Sequence, residues 1–267
     1  HAGHVAYNFT RSLVDGLTGS LFESTPTHAD KTARHYYKQL NRMSSAFALC
    51  TDVCLITLGG DLKRKEKISG RMADALSNLY ILAASLKRYN DNQQKIEHRD
   101  LLIWAAEDAL HETQQALMGI IRNYPMRGLG RLIKAIVFPL GRHYDGATDQ
   151  QGKKIAKLLL KPSATRDELT QGIYFSDAQD DAMGRIENAF LKTIATHDID
   201  KKLNNALKLG LITQSSLSHE PLIASAVEHA ILTPEEAQLL TDSYDATQKA
   251  IHVDEFSAKG WKQENNS

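Results

Sequence analysis

The chain has 267 residues, 42% of them hydrophobic and 24% charged. That is an ordinary globular composition and enough chain for one large domain or two small ones. Lys plus Arg and Asp plus Glu both number 32, which removes any overall positive field for holding nucleic acid.

Residues 4–17 carry a weak helical pattern, and Gly16, Gly19, Ser20 and Ser24 then loosen the chain. Thr25-Pro-Thr27 reads as a helix start, because Pro is favoured near the first turn. Next, Ala33, Leu40, Phe47 and Cys54 interleave with Tyr36, Met43, Cys50 and Thr57, each series spaced by seven. Alternating steps of three and four make one seam along a helix of about 30 residues, stopped by Gly59-Gly60. A second long helix over 62–89 repeats the rhythm through Ile68, Met72, Ala75, Leu79, Leu82 and Leu86. Its first turn is cationic (Lys63, Arg64, Lys65, Lys67), which opposes the helix dipole. Two long helices joined by a tight Gly-Gly turn predict an antiparallel hairpin.

A third helix over 99–123 stripes Leu101, Ala105, Ala109, Ala116 and Ile120, and Pro125 ends it. A short amphipathic helix follows, broken at Pro139. Residues 151–160 are Lys-rich with Ile155, Leu158 and Leu159, and Pro162 closes that part. Shorter helices are expected over 183–196, 200–209 and 221–231. A last one starts at Thr233-Pro-Glu-Glu236, where a Thr cap, Pro and a Glu three past the cap coincide, and runs to about 251. No alternating strand pattern and no repeat of fixed period is present. The expected fold is all-α: a long antiparallel helical hairpin extended into a helical bundle, with shorter helices in the C-terminal third. Residues 1–25 read as the end of another structure and a linker, 26–162 as the long-helix bundle, 163–256 as a smaller helical subdomain, and 257–267 as a disordered tail.

The neutral total hides an uneven distribution. Residues 122–161 hold nine basic and two acidic residues, and 215–267 hold three basic and nine acidic. At the centre of the basic stretch, Arg127, Arg131 and Lys134 are about one turn apart, with Leu129, Leu132, Ile133, Ile136 and Val137 as the apolar side. Arg142 and His143 follow the breaker. Three readings compete. The helix can lie on an anionic membrane, its cations can grip a phosphate-bearing ligand, or it is a packed helix with solvated cations.

Other chemistry is weak. Gly128-x-Gly130 lacks a third glycine and follows no strand. His111-Glu112 leads to Gln115, so no HExxH is formed, and the eleven histidines read as lone surface groups. Asp108, His111 and Glu112 lie near Trp104, which reads as a polar helix face beside a buried indole. Cys50 and Cys54 read as inert core thiols in a reducing compartment. The longest apolar runs, 79–84 and 101–106, are six residues, against the roughly 20 that a spanning helix needs. No secretory leader pattern is present. The first residue is His1, which fits a processed product or a piece of a longer chain.

The run Ile136-Val-Phe-Pro-Leu-Gly-Arg-His-Tyr144 resembles the C-terminal helical region of the long bacterial acyl-CoA dehydrogenases of fatty-acid β-oxidation. Further landmarks agree in order: Ser24-Thr-Pro-Thr27, Arg34-His-Tyr-Tyr37, Gln39-Leu-Asn-Arg42, Leu58-Gly-Gly-Asp-Leu-Lys-Arg64, Leu86-Lys-Arg-Tyr89, Ala164-Thr-Arg166 and Ile251-His-Val-Asp-Glu-Phe256. The resemblance implies a parent enzyme that oxidises acyl-CoA to trans-2-enoyl-CoA, a glutamate taking the α-proton and FAD the β-hydride. It places that glutamate, in a Val-Glu-Gly type turn, and the flavin-binding elements upstream of His1. No catalytic, cofactor-binding or metal residue is therefore carried onto this chain, and no bound FAD is expected on it alone. The implied partners are the upstream dehydrogenase domain, a second copy in a homodimer, and a membrane surface. The implied location is cytoplasmic, with peripheral contact at the inner face of the cell membrane. By analogy the contact role falls on Arg127, Arg131, Lys134, Arg142 and His143. A different class of reading is a free-standing helical interaction module for a membrane or an acidic partner.

Overall fold

The computed structural model of the chain describes residues 2–174, 181–213 and 218–252. The expected tail at 257–267, and Val253–Phe256 of the last landmark, lie outside them. Ten α-helices and no strand occur among the described residues. They form two compact units, 1–160 and 161–267.

The first unit contains α1 (Ala2–Thr18), α2 (Lys31–Leu58), a 3-10 turn (Gly59–Arg64), α3 (Glu66–Asp91), α4 (Ile96–Arg122), α5 (Arg127–Val137) and α6 (Asp149–Leu159). Helices α2, α3 and α4 pack on one another, with the α3–α4 contact the most extensive. Helix α1 lies on α2 and α5, while α5 and α6 both lie on α4. The α2 seam is inside as its spacing requires: Ala33, Tyr36, Met43, Cys50 and Cys54 are buried, with Ala46 and Leu49 beside them. Burial pushes the Cys50 thiol up to about 12, so it stays protonated and unreactive. Of the α4 stripe, Ala109, Ala116 and Ile120 are buried and Leu101 and Ala105 half-buried, and the buried face also takes in Leu102, Ala106, Leu110, Leu117 and Ile121.

Several helix starts differ from expectation, each for a local reason. Pro26 closes a turn by accepting from the Ala29 N–H, and Asp30 then caps α2 through the Ala33 N–H at 2.7 Å. At the next junction the Lys65 N–H donates to the carbonyls of Asp61 and Leu62, ending a 3-10 turn that holds Lys63 and Arg64. Helix α3 thus opens on Glu66, which suits the dipole, and the four-cation first turn does not form. The expected break between 196 and 200 is also absent, since no Gly or Pro interrupts that stretch. Helix α8 runs unbroken from Ala182 to Lys208.

By length and composition, α2 with its 3-10 turn is apolar enough to cross a membrane (mean hydropathy 1.4), contrary to the run-length argument. Many of its apolar side chains lie in the core of the first unit, although Leu55 and Ile56 are exposed, and its Asp52 accepts a buried bond from Asn8 of α1 at 2.8 Å.

The second unit holds α7 (Ala164–Thr170), α8, α9 (Glu220–Glu228) and α10 (Pro234–Ile251), with α8 packed on α10 and α9 on α10. Its core joins Leu203, Ile212, Leu222, Ile223, Leu232 and Leu240. The capping box at Thr233 and Glu236 forms as its residues require. Helix α7 was not expected, although Ser163 caps it through the Arg166 N–H. Arg166 pairs with Glu187 and lies 4.3 Å from the Phe190 ring centroid, tying α7 to α8.

Where α1 meets α2, Asp15 is 3% exposed, and one of its carboxylate oxygens has no hydrogen-bond partner. Burial, with Glu23 nearby, raises its carboxyl to about 6, although Arg11 and Arg42 pull the other way. A carboxyl raised on folding contributes stability that is complete below its unfolded value and is lost as pH rises through about 6. Asp15→Asn should therefore be more stable than the parent by about 1–2 kcal/mol at pH 8, with the advantage gone near pH 4. Urea denaturation at both pH values checks this, and a variant less stable at pH 8 refutes it.

Candidate anion-binding cleft

Helix α5 approaches the end of α4 closely because Gly130 has no side chain. A Cβ there would lie 2.8 Å from the Ile121 carbonyl oxygen and 3.3 Å from Tyr124 Cβ. The approach buries Ile133, Ile136 and Val137, followed by Phe138. Pro139 packs against α1 where Gly16 leaves room, a Cβ there falling 2.9 Å from the proline ring. Gly141, at φ 92°, then turns the chain, with its N–H on the Phe138 carbonyl at 3.1 Å.

The segment after that turn is held from α4 by a side-chain amide and an imidazole. Gln114 of α4 is 2% exposed. Its Oε1 accepts the His143 N–H at 3.0 Å and the Tyr144 N–H at 3.4 Å, and its Nε2 donates to the Tyr144 carbonyl at 2.8 Å. The side chain thus pairs with an irregular strand of backbone as a neighbouring strand would. His111 Nδ1 is also 2.8 Å from the Tyr144 carbonyl, which assigns the proton to that nitrogen. The Tyr144 ring reaches inward, donating its hydroxyl to Gln39 Oε1 at 2.6 Å and accepting from Arg42 at 3.4 Å.

With both sides fixed, Arg127, Arg131, Lys134 and Arg142 share the rim of one cleft of about 520 Å³, joined by Arg122 from the end of α4. Its floor is Met118, Ile121, Tyr124 and Phe138, all nearly fully buried. No carboxylate lines it. Among the described residues none of these five cations has an ion-pair partner, whereas Arg11, Lys87 and Arg166 are paired.

Three expectations change. His143 does not join the cleft. It lines a second cavity of about 380 Å³ with His35, Gln39, Arg42 and Tyr144. The apolar side expected to meet a membrane is already used, because Ile133, Ile136 and Val137 face the core; only Leu132, 53% exposed, is left outward. Trp104 is 39% exposed, so the helix face near Asp108 and Glu112 has no buried indole beside it. Arg122 belongs to the basic stretch, but its place in the cleft and the role of Gln114 both depend on the tertiary structure. The signal for Arg122 was its place just before Pro125, at the same bend as Arg127.

Among the described residues no three His, Cys, Asp or Glu side chains are placed to hold a metal.

These features define an all-helical domain whose distinctive surface is a cationic cleft. Residues 1–256 match the family described as acyl-CoA dehydrogenase, C-terminal, bacterial type, and the chain belongs to that family as the C-terminal domain of an acyl-CoA dehydrogenase. No solved structure matches the chain.

Removing the amide tests the clamp. Gln114→Ala should cost about 1–3 kcal/mol, because the His143 and Tyr144 N–H groups lose their acceptor and the Tyr144 carbonyl keeps only His111. Chemical denaturation measures it, and a loss below about 0.5 kcal/mol, the scale of a neutral surface change, contradicts the clamp.

Proposed function

We propose that the parent protein is an FAD-dependent dehydrogenase of fatty-acid β-oxidation. It converts acyl-CoA to trans-2-enoyl-CoA, and this chain carries its contacts and not its redox chemistry. The observation that carries the reading is the family match over 1–256. Exposed apolar side chains support a contact role. Tyr7, Leu17 and Phe22 project from α1 and the turn after it, 59%, 52% and 77% exposed, and Leu76 and Tyr80 project one turn apart from α3. The first group suits packing on the upstream dehydrogenase domain, and the second suits a homodimer. The exposed cations suit peripheral contact with the inner face of the cell membrane, in the cytoplasm. FAD belongs to the upstream domain, where it supplies the hydride acceptor, and no step of that chemistry is assigned to residues of this chain.

Deleting this region from the parent enzyme should leave flavin on the remaining domain while abolishing dimerisation or membrane sedimentation. Ultracentrifugation and membrane fractionation measure the two. The reading fails if both properties survive deletion, or if the purified chain alone shows a flavin absorbance band.

A further inference from the structure

The cleft bounded by α4, α5 and the turn after Pro139 is more specific than a basic surface. We propose that it is a binding site for a phosphate group. Five cations from three separate stretches of chain converge on it: Arg122 from α4, Arg127, Arg131 and Lys134 from α5, and Arg142 from the turn. Held together without a carboxylate, they repel one another, and an arriving anion relieves that repulsion. Four of the five are arginines, whose planar forks match phosphate oxygens in pairs and lose less freedom per bond than lysine does. The α5 N-terminus adds to the field, because Met126 offers no side-chain cap to its first turn.

Two constraints fix the geometry before any ligand arrives. Gly130 seats α5 against the Ile121 carbonyl, which places Arg127, Arg131 and Lys134. Gln114 holds the backbone of His143, which places the neighbouring Arg142. With the backbone positions set, binding an anion costs the ordering of side chains and not of the chain that carries them.

The phosphate can come from a lipid headgroup or from a soluble ligand. A lipid would also meet Leu132 and Leu140, 53% and 61% exposed on the same stretch of chain, and only that source rests on the membrane contact proposed above.

The full chain is titrated with inorganic pyrophosphate by calorimetry, and in parallel with phosphatidylglycerol and phosphatidylcholine vesicles by flotation. Saturable binding is expected in at least one arm, weakening as salt is raised. Pyrophosphate without vesicles identifies a soluble ligand. Phosphatidylglycerol binding that is lost in Leu132→Ser identifies a lipid. Arg131→Glu with Lys134→Glu, and Arg142→Gln alone, should each weaken binding at least tenfold with far-UV helicity unchanged. His143→Gln, outside the cleft, should bind as the parent does. The proposal is overturned if neither arm shows binding or if binding survives the double substitution. It is equally overturned if Lys153→Glu with Lys154→Glu on α6 abolishes binding to the same extent, which would mean diffuse charge.

Discussion

The buried amide of Gln114 is the interaction on which the distinctive part of this structure depends. A chain leaving a helix through Pro139 has no regular partner for its next N–H and carbonyl groups, and burying them unpaired is costly. Gln114 answers three of those groups from within α4. Tyr144 can then enter the core and reach Gln39 on α2, so one side chain on α4 ties a loop to two helices. Together with the Gly141 turn and the His111 and Gln39 bonds to Tyr144, it holds Arg142 beside the cations of α5.

A second constraint works with the first. The neutral chain segregates charge, and the fold concentrates that segregation: a linear window of nine basic residues becomes a cleft with five cations at its rim. Gly130 makes this possible, since any larger residue would push α5 away from the Ile121 carbonyl. The apolar half of α5 is consumed in that packing, so its cations face outward without the apolar face that an interfacial helix lays into lipid.

Much of the fold was legible because it rests on periodicity. The heptad series through Tyr36, Met43 and Cys50, and through Ile68, Ala75 and Leu82, mark buried seams without further information. Helix ends were less legible. The start at Lys31 depends on an Asp30 cap competing with a Pro26 turn, and propensity alone does not decide between them. The site was half legible. The spacing of Arg127, Arg131 and Lys134 marked one face, but the contribution of Arg122 required the bend between α4 and α5. Gln114 was illegible because a polar residue at a core position is recognised only by the tertiary partner it satisfies. His143 lines a different cavity from Arg142, its neighbour in sequence, because Gly141 turns the chain just before them.

The central claim is that the backbone after Pro139 is held by Gln114 as firmly as regular structure, and backbone amide hydrogen exchange at His143 and Tyr144 tests it most directly. The account predicts protection at both amides comparable to that of the α4 amides they pack on. Exchange at the rate of an open loop would contradict it.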